Sequence, residues 1–286
     1  MEQVQFPTRG GSHESFAFSV SCHRRVTLLP CRQPLSSDSA SRDTRVGSVY
    51  ITHVTVIDTE TGKEEPDRTV VISGDRISEV GDSKGVKVPP AAKVLDGTGK
   101  YLIPGLWDMH VHTWDYDSTF PLYIANGVTG VCDMFGPPDA NKFRSELAAK
   151  KVVAPHFYLA SPIIGGHPKV WPTSIEVNTA EEAREVVDEQ TRRGADFIKL
   201  YSRLSRESYF AIIEESRRQK IPVEGHVPSL ITAWKASSAK QKSFEHLGGI
   251  PLACSSHEEE LRPKIAAANS RERSQRPTNF CSSSGY

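Results

Sequence analysis

From Pro104 onward the sequence alternates short apolar runs with helical patterns, and this rhythm limits the possible folds more than any other feature. The runs are GLWDMHVH (105–112), GVTGVCDMF (127–135), HFYLASPII (156–164), DFIKLYS (196–202), PVEGHV (222–227) and SFEHLGG (243–249). Helical segments lie between them. Thr179 and Glu182 form a capping box for a helix ending near Gly194, and Ser205 caps a helix whose buried face carries Tyr209, Ile212 and Ile213. Six strands alternating with helices predict a parallel sheet. Closed, it is a (β/α) barrel; open, a doubly wound sheet. No Gly-rich dinucleotide fingerprint follows the first strand.

The segments upstream differ in texture. VYITHVTVID alternates as a half-buried strand does, and RTVVISGDRISEVG holds two strands around a hairpin signal at Ser73-Gly74-Asp75. With AKVLDGTGKYLIPG they predict several short antiparallel strands over 47–104. Residues 1–46 are rich in Ser, Arg, Pro and Gly and are expected to be a disordered leader. A helix is expected over 256–268, and a polar disordered tail over 269–286. Lys plus Arg and Asp plus Glu each number 35, so no net field favours nucleic acid or an anionic membrane. No apolar run approaches a membrane span of about 18 residues. The SFAFSVSC stretch is too short and Ser-rich for a signal peptide, so a cytoplasmic rather than exported protein is expected. Five scattered cysteines without a CxxC pair argue against a disulfide framework or zinc ribbon.

Chemistry-bearing residues recur at the strand ends. His110 and His112 are two apart, which on a strand puts both imidazoles on one side. Paired imidazoles suit zinc or another transition metal. Lys199 interrupts the apolar run FIKLY, although burying an ammonium is costly. It either snorkels to the mouth, pairs with a carboxylate, or is made anionic by modification and bridges metals. His226 ends PVEGHV, and His246 lies in SFEHLGG. Asp108 precedes the histidine pair by two and is expected to share its face, ordering the ligands or pairing with a base.

The motifs PGLWDMHVH, GADFIKLY, VEGHV and SFEHLGG resemble the metal-dependent amidohydrolase superfamily, in particular its imidazolonepropionase-like and Xaa-Pro or Xaa-Arg/Lys dipeptidase-like branches. The resemblance covers about 48–265. It implies an α/β fold: an incomplete TIM-like barrel of about six of eight units over 105–268, beside a partial N-terminal β-sandwich over 47–104. It further implies two zinc ions, the first on His110 and His112, the second on His226 and His246. Carboxylated Lys199 would bridge them as the catalytic centre. The substrate would be a small amide or dipeptide, its C–N bond hydrolysed by a metal-activated water. His167, in IIGGHP, and Tyr201, which shares the Lys199 side, are candidate substrate contacts; a loop residue and a packing tyrosine are the alternatives. The family also places an aspartate at the end of an eighth strand, and the 40 residues after His246 contain none. The expectation is therefore a C-terminally shortened member with little turnover, unless Asp108 or Asp133 serves as base. The alternative is a non-catalytic remnant that binds metal or partners, including a second copy through open barrel edges.

Overall fold

The computed structural model describes residues 47–150 and 152–274. The leader expected over 1–46, and positions 275–286 of the expected tail, lie outside the described residues. The described residues divide into two compact units, one of 47–54 and 67–98, the other of 55–66 and 99–274.

The first unit is built on a sheet in the order β3-β2-β1-β4. In β1 (Val49–Ile57), Tyr50, Thr52 and Val54 are buried and the residues between them are not, the period-two pattern of a strand covered on one face. Strands β2 (Glu64–Ser73) and β3 (Arg76–Asp82) form the expected hairpin, with Ser73 opposite Arg76. Its first turn residue, Gly74, has φ +63°, a conformation that glycine adopts without a Cβ penalty. The expected all-antiparallel pairing is corrected beyond this hairpin. β4 (Lys93–Asp96) lies parallel to β1, Val49 opposite Lys93 through Thr52 opposite Asp96. The ten residues 83–92 carry the chain across to the other edge of β1, a return that a tight turn cannot make.

Within the second unit, β5 (Tyr101–Leu102) lies parallel to residues Thr55 and Val56 of β1. A parallel array follows. β6 (Leu106–Val111), β7 (Val128–Asp133) and β8 (His156–Leu159) form one sheet in that order. A bridge from Ala160 to Phe197 continues the array to β11 (Ile198–Leu200), which pairs with β12 (Val223–Gly225). The stretch HFYLASPII does not stay one strand. It breaks after Leu159, and β9 (Ile164–Gly165) pairs instead with β10 (Ile175–Glu176) and β11. SFEHLGG is not a strand either. Lys242 N–H donates to Val223 O at 2.8 Å, continuing the array by one bond. Then His246 and Leu247 take left-handed φ of 58° and 55°, which turns the chain into a short 3-10 segment. Among the described residues the array does not close: β6 pairs with β7 alone.

Helices link the strands. α1 (Tyr116–Ala125) starts at Asp115, whose carboxylate accepts from the Asp117 and Ser118 amides. α2 (Ala140–Lys150) leads to β8. α3 (Ala180–Arg192) has the capping box of Thr179 and Glu182, and α4 (Arg206–Gln219) is capped by Ser205. α5 (Ala233–Ser238), α6 (Ile250–Ala253) and α7 (Glu258–Ser274) follow. α7 runs six residues past its expected end at Ala268, as its Ala, Glu and Arg content favours, with a Glu260–Lys264 pair at 2.6 Å supporting it. Among the described residues no helix is long and apolar enough to cross a membrane.

The main core lies between the array and α3 and α4, where Ile198, Leu200 and Val223 meet Val187, Tyr209 and Ile212. Strand alternation then decides the fate of Lys199. With Ile198 and Leu200 committed to the helices, Lys199 must face the other side, opposite Glu224 of β12.

Candidate functional site

The strand ends deliver their polar groups to one place. His110 is the penultimate residue of β6, His112 follows that strand, Lys199 sits in β11, His226 follows β12, and His246 stands in the turn beyond. A cavity of about 240 Å³ has a polar lining of His112, Lys199, Tyr201, His226 and His246 and an apolar lining of Trp114, Phe135, Ile163 and Trp171. Gly225 makes the placement of His226 possible. It has φ +118°, and a Cβ there would lie 2.5 Å from Leu200 O and 3.0 Å from Lys199 Cδ.

The histidines are oriented by partners. His110 Nδ1 lies 2.5 Å from Glu245 Oε2, and Ser243 Oγ donates to Glu245 Oε1 at 2.6 Å. A carboxylate accepts, so Nδ1 of His110 donates and its Nε2 is the ring nitrogen turned toward the other histidines. That Nε2 lies 3.3 Å from Nε2 of His112. His246 stands between, with ring centroids 4.7 Å from His110 and 5.1 Å from His226. His226 Nδ1 is 3.1 Å from Ser202 Oγ, and its ring stacks on Tyr201 at 4.3 Å.

Burial sets the charges. Lys199 is 1% exposed and its Nζ has no hydrogen-bond partner among the described residues. Burial lowers its pKa to about 8 against the opposing pull of Glu245, Cys132 and Glu224. His226 is lowered to about 3 and His112 to about 4, by desolvation first and then by neighbouring positive charge. Both are therefore neutral near pH 7, the form in which imidazole can ligate. Glu245 goes the other way: burial would raise it, but the bonds from Ser243 and His110 and the charge on Lys199 hold it below the usual carboxylate range.

This donor set fits a divalent cation chemically. His112 and His226 are neutral donors near pH 7, and Lys199 becomes a donor once its Nζ gives up its proton, which its lowered pKa of about 8 makes easier. The donors are close without being a finished chelate: among the described residues no three His, Cys, Asp or Glu side chains converge as one metal site.

Of the other candidates, Tyr201 is in the cavity wall. His167 stands apart on an exposed loop, with Nδ1 2.9 Å from Glu176 Oε1. Asp108 is exposed and its Oδ1 accepts from the His110 amide at 3.2 Å, so it braces the backbone of the pair. Glu245, the partner of His110, escaped the sequence reading; its position directly before His246 was the available signal.

Asp133 is a further brace. It is 3% exposed, and its carboxylate accepts from Phe135 N at 3.0 Å and Thr113 N at 3.4 Å, joining the ends of β6 and β7. Burial pushes its pKa up from 3.8 to about 6. Between those values the folded state keeps a proton that the unfolded chain has released, so stability falls as pH rises through this window and stays lower above it. Asp133→Asn is expected to remove that component. From pH 4 to pH 7 its unfolding free energy should gain on the parent by about 2–3 kcal/mol. Urea titrations of both proteins across this range check it, and parallel pH profiles would refute it.

No family model matches the chain. A dihydroorotase of Trichlorobacter lovleyi is 36% identical over 73 residues, covering 23% of this chain and 17% of the enzyme. An adenine deaminase of Rubrobacter xylanophilus is 31% identical over 89 residues, covering 31% of this chain and 14% of that protein. The chain thus spans a small part of the curated relatives it matches. Among solved structures, a prolidase complexed with N-methylphosphonate-L-proline is 20% identical with a TM-score of 0.60, over 81% of this chain and 70% of that one. The fold is therefore the mixed α/β fold of the amidohydrolases, with its parallel array unclosed among the described residues. Over these segments the chain is similar to members of the metal-dependent amidohydrolase superfamily.

Proposed function

We propose that the chain hydrolyses C–N bonds of small amides or dipeptides with a metal-activated water. The observation that carries this reading is the buried, unpartnered Nζ of Lys199 beside His112, His226 and His246. The likeness of the fold to a prolidase supports the substrate class. His110 and His112 would hold one zinc ion, and His226 and His246 the other. Lys199, once deprotonated, would add carbon dioxide through its Nζ, releasing one further proton and becoming an anionic carbamate that supplies oxygen donors for metal. Bound zinc supplies a polarised carbonyl and an acidified water. Glu245 fixes the tautomer and orientation of His110, as outer partners of metal ligands do. Tyr201 would contact the substrate from the wall. His167 would join it only if its loop moved inward from Glu176.

One observation favours a second reading, metal binding without turnover. Among the described residues no carboxylate lines the cavity, and the nearby Glu245 is already engaged by His110 and Ser243. The test is amine release from a panel of dipeptides and N-acyl amino acids, with zinc and bicarbonate present. The expected result is metal-dependent release that disappears in the His110→Ala/His112→Ala variant. Zinc bound without any release selects the second reading.

A further inference from the structure

The apolar lining of the cavity is as organised as the polar lining, and it needs an occupant. Trp114 follows His112 by two residues, Phe135 ends the segment after β7, and Trp171 comes from the loop between β9 and β10. Their rings form a continuous wall: His112 to Phe135 at 6.0 Å, Phe135 to Trp114 at 4.9 Å, and Phe135 to Trp171 at 6.5 Å. The wall therefore starts at the candidate ligand pair and runs outward. Trp114 is 70% exposed and Trp171 is 44% exposed, so two large apolar rings face solvent rather than the core. The loop that carries Trp171 is held by polar bonds, not by burial of the ring. Glu176 accepts from Lys169 N at 2.9 Å, and Ser174 Oγ donates to Trp171 O at 2.7 Å. A wall fixed by its backbone, with its rings left uncovered, is preorganised for a ligand. Among the described residues, Lys199 is the only Lys, Arg, Asp or Glu in the cavity lining, and it belongs to the polar lining.

We propose that Trp114, Phe135 and Trp171 form a subsite for an uncharged aromatic or large apolar group next to the scissile bond. This rests on the amide-hydrolase reading and narrows it. The substrate class is an amide with a ring-bearing side chain or acyl group, and small or acidic substrates are discriminated against. Aromatic rings bury well against one another in offset and edge-to-face arrangements, and the wall presents such faces.

The test is binding, measured by calorimetry and tryptophan fluorescence on the full chain, with and without zinc. The probes are N-acetyl-L-phenylalaninamide, N-acetyl-L-alaninamide and N-acetyl-L-glutamate. The phenylalanine probe is expected to bind at least about tenfold tighter than the other two, a modest return for burying a ring. Trp114→Ala and Trp171→Ala should each reduce that preference without weakening the alanine probe, and Trp114→Phe should retain most of it. Thermal melts of each variant confirm folding. Equal binding of the three probes, no saturable binding of the phenylalanine probe, or an unchanged preference in both alanine variants overturns the subsite. Release of ammonia or acetate from the same probes, measured in the zinc arm alongside binding, separates the two readings. Selectivity without hydrolysis leaves the subsite standing and removes the reaction. Hydrolysis without selectivity does the reverse.

Discussion

Replacing His110 and His112 together by alanine is expected to lower zinc affinity by at least about 100-fold, because loss of even an outer partner of a ligand typically costs roughly 10–100-fold. The reason is geometric. Their Nε2 atoms lie 3.3 Å apart, and Glu245, bonded to Nδ1 of His110, makes the Nε2 of that ring more electron-rich. Two lone pairs that close repel unless a cation or proton lies between them. Glu245→Gln should produce an intermediate loss, since the amide no longer enforces the tautomer. Calorimetric titration, with metal analysis after dialysis, measures both variants. A folded double variant that retains parental zinc would move the metal site elsewhere.

Lys199→Met should act in opposite directions on stability and on function. In the presence of a chelator the variant is expected to be more stable than the parent by about 1–4 kcal/mol, the range seen when buried charges give way to apolar groups of similar volume. Lys199 is 1% exposed and its Nζ has no hydrogen-bond partner among the described residues, so methionine keeps the packing and removes the desolvation cost. The same change should abolish bicarbonate-dependent uptake of zinc, because no amine remains to form a carbamate. Urea denaturation with chelator and metal binding with and without bicarbonate give the two readouts. A variant that is no more stable and still takes up zinc in a bicarbonate-dependent way would show that Lys199 is an ordinary core residue. The expected trade is the usual one for a functional site, where local stability is given up for chemistry.

The parts of this site that were legible in the sequence are those where local pattern and tertiary position agree. An apolar run ending in His-x-His reads as a strand end whatever surrounds it, and Lys199 stands out because its neighbours in FIKLY are apolar. Thr179 and Ser205 announce helix starts through their own side chains. Other features depend on partners distant in sequence. The pairing of β4 parallel to β1 is chosen by the edge that the chain reaches, not by the composition of KVLD. The two-residue strands β9 and β10 are too short to show any period. The turn at His246 and Leu247 uses left-handed φ at non-glycine residues, before the Gly248-Gly249 pair that would have placed it two residues later. Glu245 gains its role only because the fold brings His110 to it from 135 residues away.

That separation governs when the centre can exist. Groups 135 residues apart meet only after the intervening strands and helices have assembled, since long loops close late and slowly. A cation held between them would therefore find almost nothing to grip in the transition state for folding, and everything to grip in the native state. Its effect should fall on the rate of escape: zinc would slow unfolding and leave refolding nearly unchanged. Resistance to proteolysis under strongly degrading conditions would then track metal supply, while the yield of newly made protein would not.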